Sequence, residues 1–161
     1  MIWGIDRFPC KKTGGQQPHP QLWQTILSLP SGSTVSGAKA TRLTPAAVVE
    51  RNGFVSVQVN VAAGGSNISG DAANEPSIAV DPTAPNRMVI GWRQFDNINS
   101  NFRQAGWGYS RDGGRTWTFP GVIEPGVFRS DPVLDYDVQG NFYYNSLKVV
   151  GSSYTCDVFI S

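Results

Sequence analysis

The chain has 161 residues, 40% of them hydrophobic and 16% charged, with a formal net charge of +1. That length suits one ordinary domain, and so small a charge excludes a global field drawing the chain to nucleic acid or anionic lipid. No apolar run approaches the ~18 residues that a membrane-spanning helix needs, while 18 glycines, 11 prolines and 11% aromatics favour strands and turns over helix bundles.

Residues 1–50 carry little pattern. Gly14-Gly15, Pro18, Pro20, Pro30 and Gly37 interrupt the candidate elements, apart from a short helix over 22–29. The region reads as an irregular leader or linker, with residues 45–50 open to a strand or a helical turn. Met1–Arg7 lacks the basic start and unbroken apolar core of a signal peptide. Cys10 and Cys156 fit no metal-ligand spacing, which leaves a disulfide or buried thiols. The single histidine, His19, lies between Pro18 and Pro20 in an extended stretch and is a poor catalytic candidate.

Regular patterning begins at Phe54. Residues 54–61 alternate apolar and polar side chains with period two, the mark of a half-buried strand, and Ala63–Asn67 ends it. Four further strands follow in order. Pro76–Asp81 precedes a turn at Pro82–Asn86, Met88–Phe95 precedes a polar loop, Ala105–Ser110 precedes a Gly-rich turn, and Thr116–Phe119 opens the fourth. The pattern then restarts. Asn74-Glu75-Pro76-Ser77-Ile78-Ala79-Val80-Asp81 is answered by Ser130-Asp131-Pro132-Val133-Leu134-Asp135-Tyr136-Asp137, an offset of 131 − 75 = 56 residues. Strands at 142–149 and 156–161 follow the second copy. An internal repeat of about this period is the signature of stacked β units such as propeller blades.

Between the third and fourth strands stands Ser110-Arg111-Asp112-Gly113-Gly114-Arg115-Thr116-Trp117. It matches S-x-D-x-G-x-T-W at every defining position and resembles the Asp-box, or bacterial neuraminidase repeat. Over residues 74–161 the chain thus resembles the sialidase-like β-propeller superfamily. The resemblance implies an all-β, partial β-propeller: about two four-stranded antiparallel blades, the second incomplete, over residues 51–161. Ser161 aligns with Ser110, so the gene product is expected to continue as x-D-x-G-x-T-W in a longer, monomeric ring; propellers have roughly 4–8 blades, and the sialidases that the chain resembles have six. Residues 1–161 alone are expected to be marginally stable, with the last sheet short of an edge strand. Ser110, Asp112, Gly114, Thr116 and Trp117 are read as structural, since Ser and Asp side chains cap tight turns. In the family the box faces away from the active site.

The resemblance further implies an extracellular or cell-envelope protein that recognises glycans, or an exo-sialidase or related glycoside hydrolase in its full-length form. The alternative is a non-catalytic scaffold for protein partners. Sialidases hold a carboxylate with three arginines, the first in a Phe-Arg-Ile-Pro motif, and use a Tyr activated by a Glu with an Asp as acid. Neither Arg7-Phe8-Pro9 nor Phe128-Arg129-Ser130 matches that motif, so no catalytic residue carries over.

From the residues themselves, Glu75 and Asp131 at the openings of the two copies are ligand candidates, as carboxylates for glycoside hydrolysis or for a cation. They are equally turn caps before proline. Arg93, Arg103 and Arg129 suit a carboxylate ligand, or are solvated. Trp92 and Trp107 are sugar platforms or core. Asp96, Asp135 and Asp137 form no metal-ligand set, and nothing in the sequence calls for a metal or cofactor.

Overall fold

The computed structural model describes residues 4–8 and 48–161. His19, Cys10 and the short helix expected over 22–29 lie outside them. Among the described residues the fold is all-β with no helix, in three antiparallel sheets.

A two-stranded hairpin comes from β2 (Val48–Arg51) and β3 (Phe54–Val57). Asn52 and Gly53 both take positive φ, 53° and 79°, the backbone of a two-residue hairpin turn whose twist matches its strands. The alternation over 54–61 outlasts the strand. After Val57 the chain leaves the ladder and covers the neighbouring sheet, where a Cβ built on Gly108 would come within 2.7 Å of the Val59 side chain.

The first four-stranded sheet is a meander of β4 (Ala72–Val80), β5 (Met88–Phe95), β6 (Arg103–Ser110) and β7 (Thr118–Ile123), each strand beside its successor. Short connections make this order the natural one. β7 starts later than the sequence suggests, because Thr116 is engaged in the preceding turn: its backbone N–H and its hydroxyl both donate to the Asp112 carboxylate, at 2.9 and 2.6 Å.

The second four-stranded sheet contains β8 (Arg129–Tyr136), β9 (Phe142–Val150) and β10 (Ser153–Ile160), and its order is β1-β10-β9-β8. The fourth strand is β1 (Gly4–Phe8), antiparallel to β10 from Gly4↔Ile160 to Phe8↔Cys156. The leader therefore contributes an edge strand, and the sheet is not left one strand short. The pairing is non-local, so no local periodicity could announce it.

The sheets repeat in register. β4 and β8 each carry a register shift, between Asn74 and Ser77 and between Ser130 and Val133. Ser110 pairs with Met88. Ser161 meets Phe142 in the matching place, its N–H donating to the Phe142 carbonyl at 3.0 Å and its Oγ accepting from the Phe142 N–H at 3.0 Å.

The two sheets pack through one core of Ala79, Val89, Ala105, Trp107, Ile123, Leu134, Phe142, Tyr144 and Phe159. The Leu134 N–H donates to Ser77 Oγ at 3.0 Å, joining β8 to β4. Gly91 permits the close approach, since a Cβ there would lie 2.3 Å from the Tyr144 ring and 2.6 Å from Leu134. Gly91→Ala is therefore expected to destabilise the protein by roughly 1–3 kcal/mol through overpacking, read as a lower urea midpoint at unchanged slope.

Candidate functional site

The starts of β4 and β8 place Glu75 and Asp131 in matching positions on neighbouring strands. Both have left-handed backbones, with φ of 52° and 53°, and both precede a proline at a bulge. A residue before proline is steered away from the right-handed helical region. A non-glycine residue held left-handed costs about 1–2 kcal/mol, and the surrounding ladder imposes that cost twice at the same site.

The side chains differ around this shared backbone. Glu75 forms an ion pair with Arg93 of β5. Asp131 accepts from Ser130 Oγ at 2.7 Å, and that oxygen in turn accepts from Arg103 Nε at 3.2 Å. The Arg103 guanidinium lies 4.6 Å from the centre of the Phe128 ring. Glu75 and Asp131 remain exposed and Arg93 and Arg103 half-buried, so this end presents two carboxylates and two oriented guanidinium groups. Beside Glu75, a groove of about 210 Å³ runs between Gln58–Asn60 and Ala73, Asn74, Pro76, Ile90 and Trp92.

Arg129 is not on that surface. It is fully buried; one of its terminal nitrogens meets both Glu124 and Asp157, and the other donates to the Ser146 carbonyl at 3.4 Å. Its Cζ sits 4.7 Å from the Phe159 ring centre. No spacing in the chain marks these acidic partners, which come from a loop and from β10. Trp92 and Trp107 are core residues. Trp92 packs 5.2 Å from Phe119 and donates to Gln94 Oε1 at 2.7 Å, and Trp107 stacks on Tyr109 at 5.8 Å.

The opposite end is built of aspartate-capped turns. In Ser110–Trp117, Ser110 Oγ donates to Asp112 at 2.8 Å and accepts from the Gly114 N–H at 2.9 Å, while Trp117 Nε1 donates to the Gly114 carbonyl at 3.1 Å. Gly113 and Gly114 supply φ of 72° and 83°, which side-chain-bearing residues adopt only with strain. Asp81 and Asp137, 56 positions apart, cap the turns after β4 and β8. Asp81 accepts from the Thr83 hydroxyl at 2.7 Å and Arg87 Nη1 at 2.6 Å, and Asp137 from Asn141 Nδ2 at 2.8 Å and the Tyr143 hydroxyl at 2.7 Å. Asp96 accepts from Gln104 at 3.2 Å and Asp135 from the Tyr136 N–H at 2.8 Å.

These donors stabilise charged carboxylates. The Thr116 hydroxyl above all holds Asp112 down at about 2, and the Asn141 amide likewise holds Asp137 at about 2. Both lie below the ordinary value of 3.8, so the carboxylate form belongs to the folded state. The stability they contribute is fully present above pH ~4 and is lost as pH falls towards 2. Urea midpoints are expected to hold steady from neutral pH to about 5 and to drop between about 4 and 2, with Asp112→Asn flattening part of that drop.

No group of three or more His, Cys, Asp or Glu among the described residues is arranged to hold a metal ion. No helix among them is long and apolar enough to cross a membrane. No family model, curated protein or solved structure matches the chain.

Proposed function

We propose that the two four-stranded sheets are neighbouring blades of a sialidase-like propeller, and that the end bearing Glu75, Asp131, Arg93 and Arg103 recognises a glycan. The observation that carries this reading is the duplicated bulge, with an acidic residue in a left-handed backbone before proline at the same register of adjacent sheets. Strain of that kind concentrates where a scaffold holds side chains for binding. Paired carboxylates bond sugar hydroxyls, and the guanidinium groups suit a carboxylated sugar. Any hydrolysis, by a sialidase-like route, belongs to the full-length protein. An extracellular or envelope location fits the disulfide at Cys156, because such bonds persist in oxidising compartments.

One observation favours the second reading, a non-catalytic scaffold for protein partners. The arginine in the string nearest the family's Phe-Arg-Ile-Pro motif, Arg129, is enclosed by Glu124 and Asp157 and offers nothing to a ligand. A glycan array on the full-length protein, alongside fluorogenic sialoside turnover, separates the two. Glycan recognition predicts binding that Glu75→Gln and Arg103→Gln each weaken about tenfold, the ordinary effect of losing one charge-assisted hydrogen bond. Absent binding and absent turnover, with protein partners captured at this end, would leave the scaffold reading.

A further inference from the structure

At the end that carries Ser110–Trp117, the turn after β8 and the end of β6 border a cavity of about 320 Å³ between the two four-stranded sheets. That volume lies at the small end of the range that ligand sites occupy. Two guanidinium groups line it, Arg87 from the turn ahead of β5 and Arg111 from the turn after β6. Arg87 is held from both sheets. Its Nη1 donates to the fully buried Asp81 at 2.6 Å, and its Nη2 donates to the Gly140 carbonyl at 3.3 Å. Gly140 leaves room for this contact, since a Cβ there would lie 3.0 Å from Arg87 Nη1 and 3.0 Å from Asp81 Oδ2. These bonds leave other N–H donors of the guanidinium free, and the side chain is 44% exposed. The Arg111 guanidinium lies 5.5 Å from the centre of the Tyr109 ring, and no ion pair among the described residues engages it. The neighbouring carboxylates are turned into their own turns: Asp81 accepts from Thr83, Asp112 from Ser110 and Thr116, and Asp137 from Asn141 and Tyr143.

We propose that this cavity binds a small sugar acid, with the ligand's carboxylate on Arg87 and Arg111 and its ring against Met88 and Tyr109. Guanidinium groups are matched to carboxylates, because their N–H donors bond both oxygens at once. Binding does not have to order Arg87, since Asp81 and Gly140 already hold it, and so less side-chain entropy is lost. Met88 and Tyr109 are half-buried and give the cavity an apolar side, against which the C–H face of a sugar ring packs. The exposed Gln139 side chain lies on the rim with two amide donors and a carbonyl acceptor for ring hydroxyls. A bare anion would leave the apolar side uncovered, and an aromatic acid would leave the Gln139 amide without a partner. A sugar acid meets both. The site shares no residue with the end that bears Glu75, Asp131, Arg93 and Arg103, so this inference does not rest on the glycan reading.

Titration of the whole, isotope-labelled chain with glucuronate, glucose and acetate, read from its amide NMR signals, tests the site. Glucuronate is expected to shift the amides of 87–88, 109–111 and 139–141 saturably. Glucose lacks the carboxylate and acetate the ring, so each should bind there at least about tenfold more weakly. Arg111→Gln is expected to weaken glucuronate about tenfold while leaving the rest of the spectrum in place. Arg87→Lys should weaken it as well, while keeping a positive charge beside buried Asp81 so that the fold is retained. Absence of saturable shifts at these amides overturns the proposal, and so does glucuronate binding that Arg111→Gln leaves unchanged. Acetate binding as tightly as glucuronate overturns the sugar part, because the cavity then holds only an anion. Shifts confined to 75, 93, 103 and 131 overturn this site and leave the glycan reading of the other end standing.

Discussion

Arg129→Ala is expected to lower stability by about 3–5 kcal/mol, because it strips the partner from a buried carboxylate and leaves the charge uncompensated. Asp157 has a side chain only 3% exposed, and its oxygen meets Arg129 in the interior of the second sheet. Glu124, itself left-handed at φ 51°, reaches the same nitrogen from the β7–β8 connection. The guanidinium also donates to the carbonyl and the hydroxyl of Ser146 on β9. One side chain therefore joins a loop, β9 and β10, and removing it disturbs all three. The comparison that isolates charge is a triple replacement, Arg129→Met with Glu124→Gln and Asp157→Leu. Removing the whole buried set together is expected to recover most of the loss, since a buried ion pair contributes little net stability over apolar packing. Urea unfolding of both variants reads the two outcomes. A loss under about 1 kcal/mol for Arg129→Ala, the range of an exposed pair, would mean that solvent reaches these charges.

The fate of Arg129 marks the limit of what the sequence discloses about the site. Arg93, Arg103 and Arg129 look alike in the chain, but only the register of β8 against β9 and β10 buries the third. Glu75 and Asp131 were legible because the repeat is local: acid, proline and a closing aspartate recur at one offset, and β4 and β8 bear the same bulge. Met88–Phe95 was legible for a related reason. Its apolar positions and the turns on both sides define β5 without help from distant residues. What the sequence hid is long-range. The pairing of Gly4–Phe8 with β10 spans nearly the whole chain. The departure of Val59 from the expected strand is set by the sheet face it covers, and the placement of Thr116 by the hydrogen bonds of Asp112. Trp92 and Trp107 fit a sugar platform or a core equally well by type, and it is packing on both faces of the first sheet that makes them core.

That packing depends most on Tyr144, for which Tyr144→Ala is expected to cost about 3–5 kcal/mol and Tyr144→Phe about 1 kcal/mol. Tyr144 is fully buried and fills the space that Gly91 leaves on β5. Its hydroxyl donates to the Gly106 carbonyl at 3.1 Å across the inter-sheet gap, and burial raises its pKa, so the phenol remains a donor throughout the ordinary pH range. The ring supplies apolar area and excludes a cavity; the hydroxyl supplies one hydrogen bond and satisfies one carbonyl. If the two sheets cohere chiefly through close packing, the Ala variant must lose several times more than the Phe variant. Equal losses would make the hydrogen bond to Gly106 the main tie. The cavity left by Tyr144→Ala lies against Gly91, so adding Gly91→Leu is expected to restore part of the loss, although the same substitution in the intact protein would clash with the ring. Non-additivity of that sign, measured by urea unfolding in a double-mutant cycle, would locate the cohesion of the two sheets at this glycine–tyrosine contact.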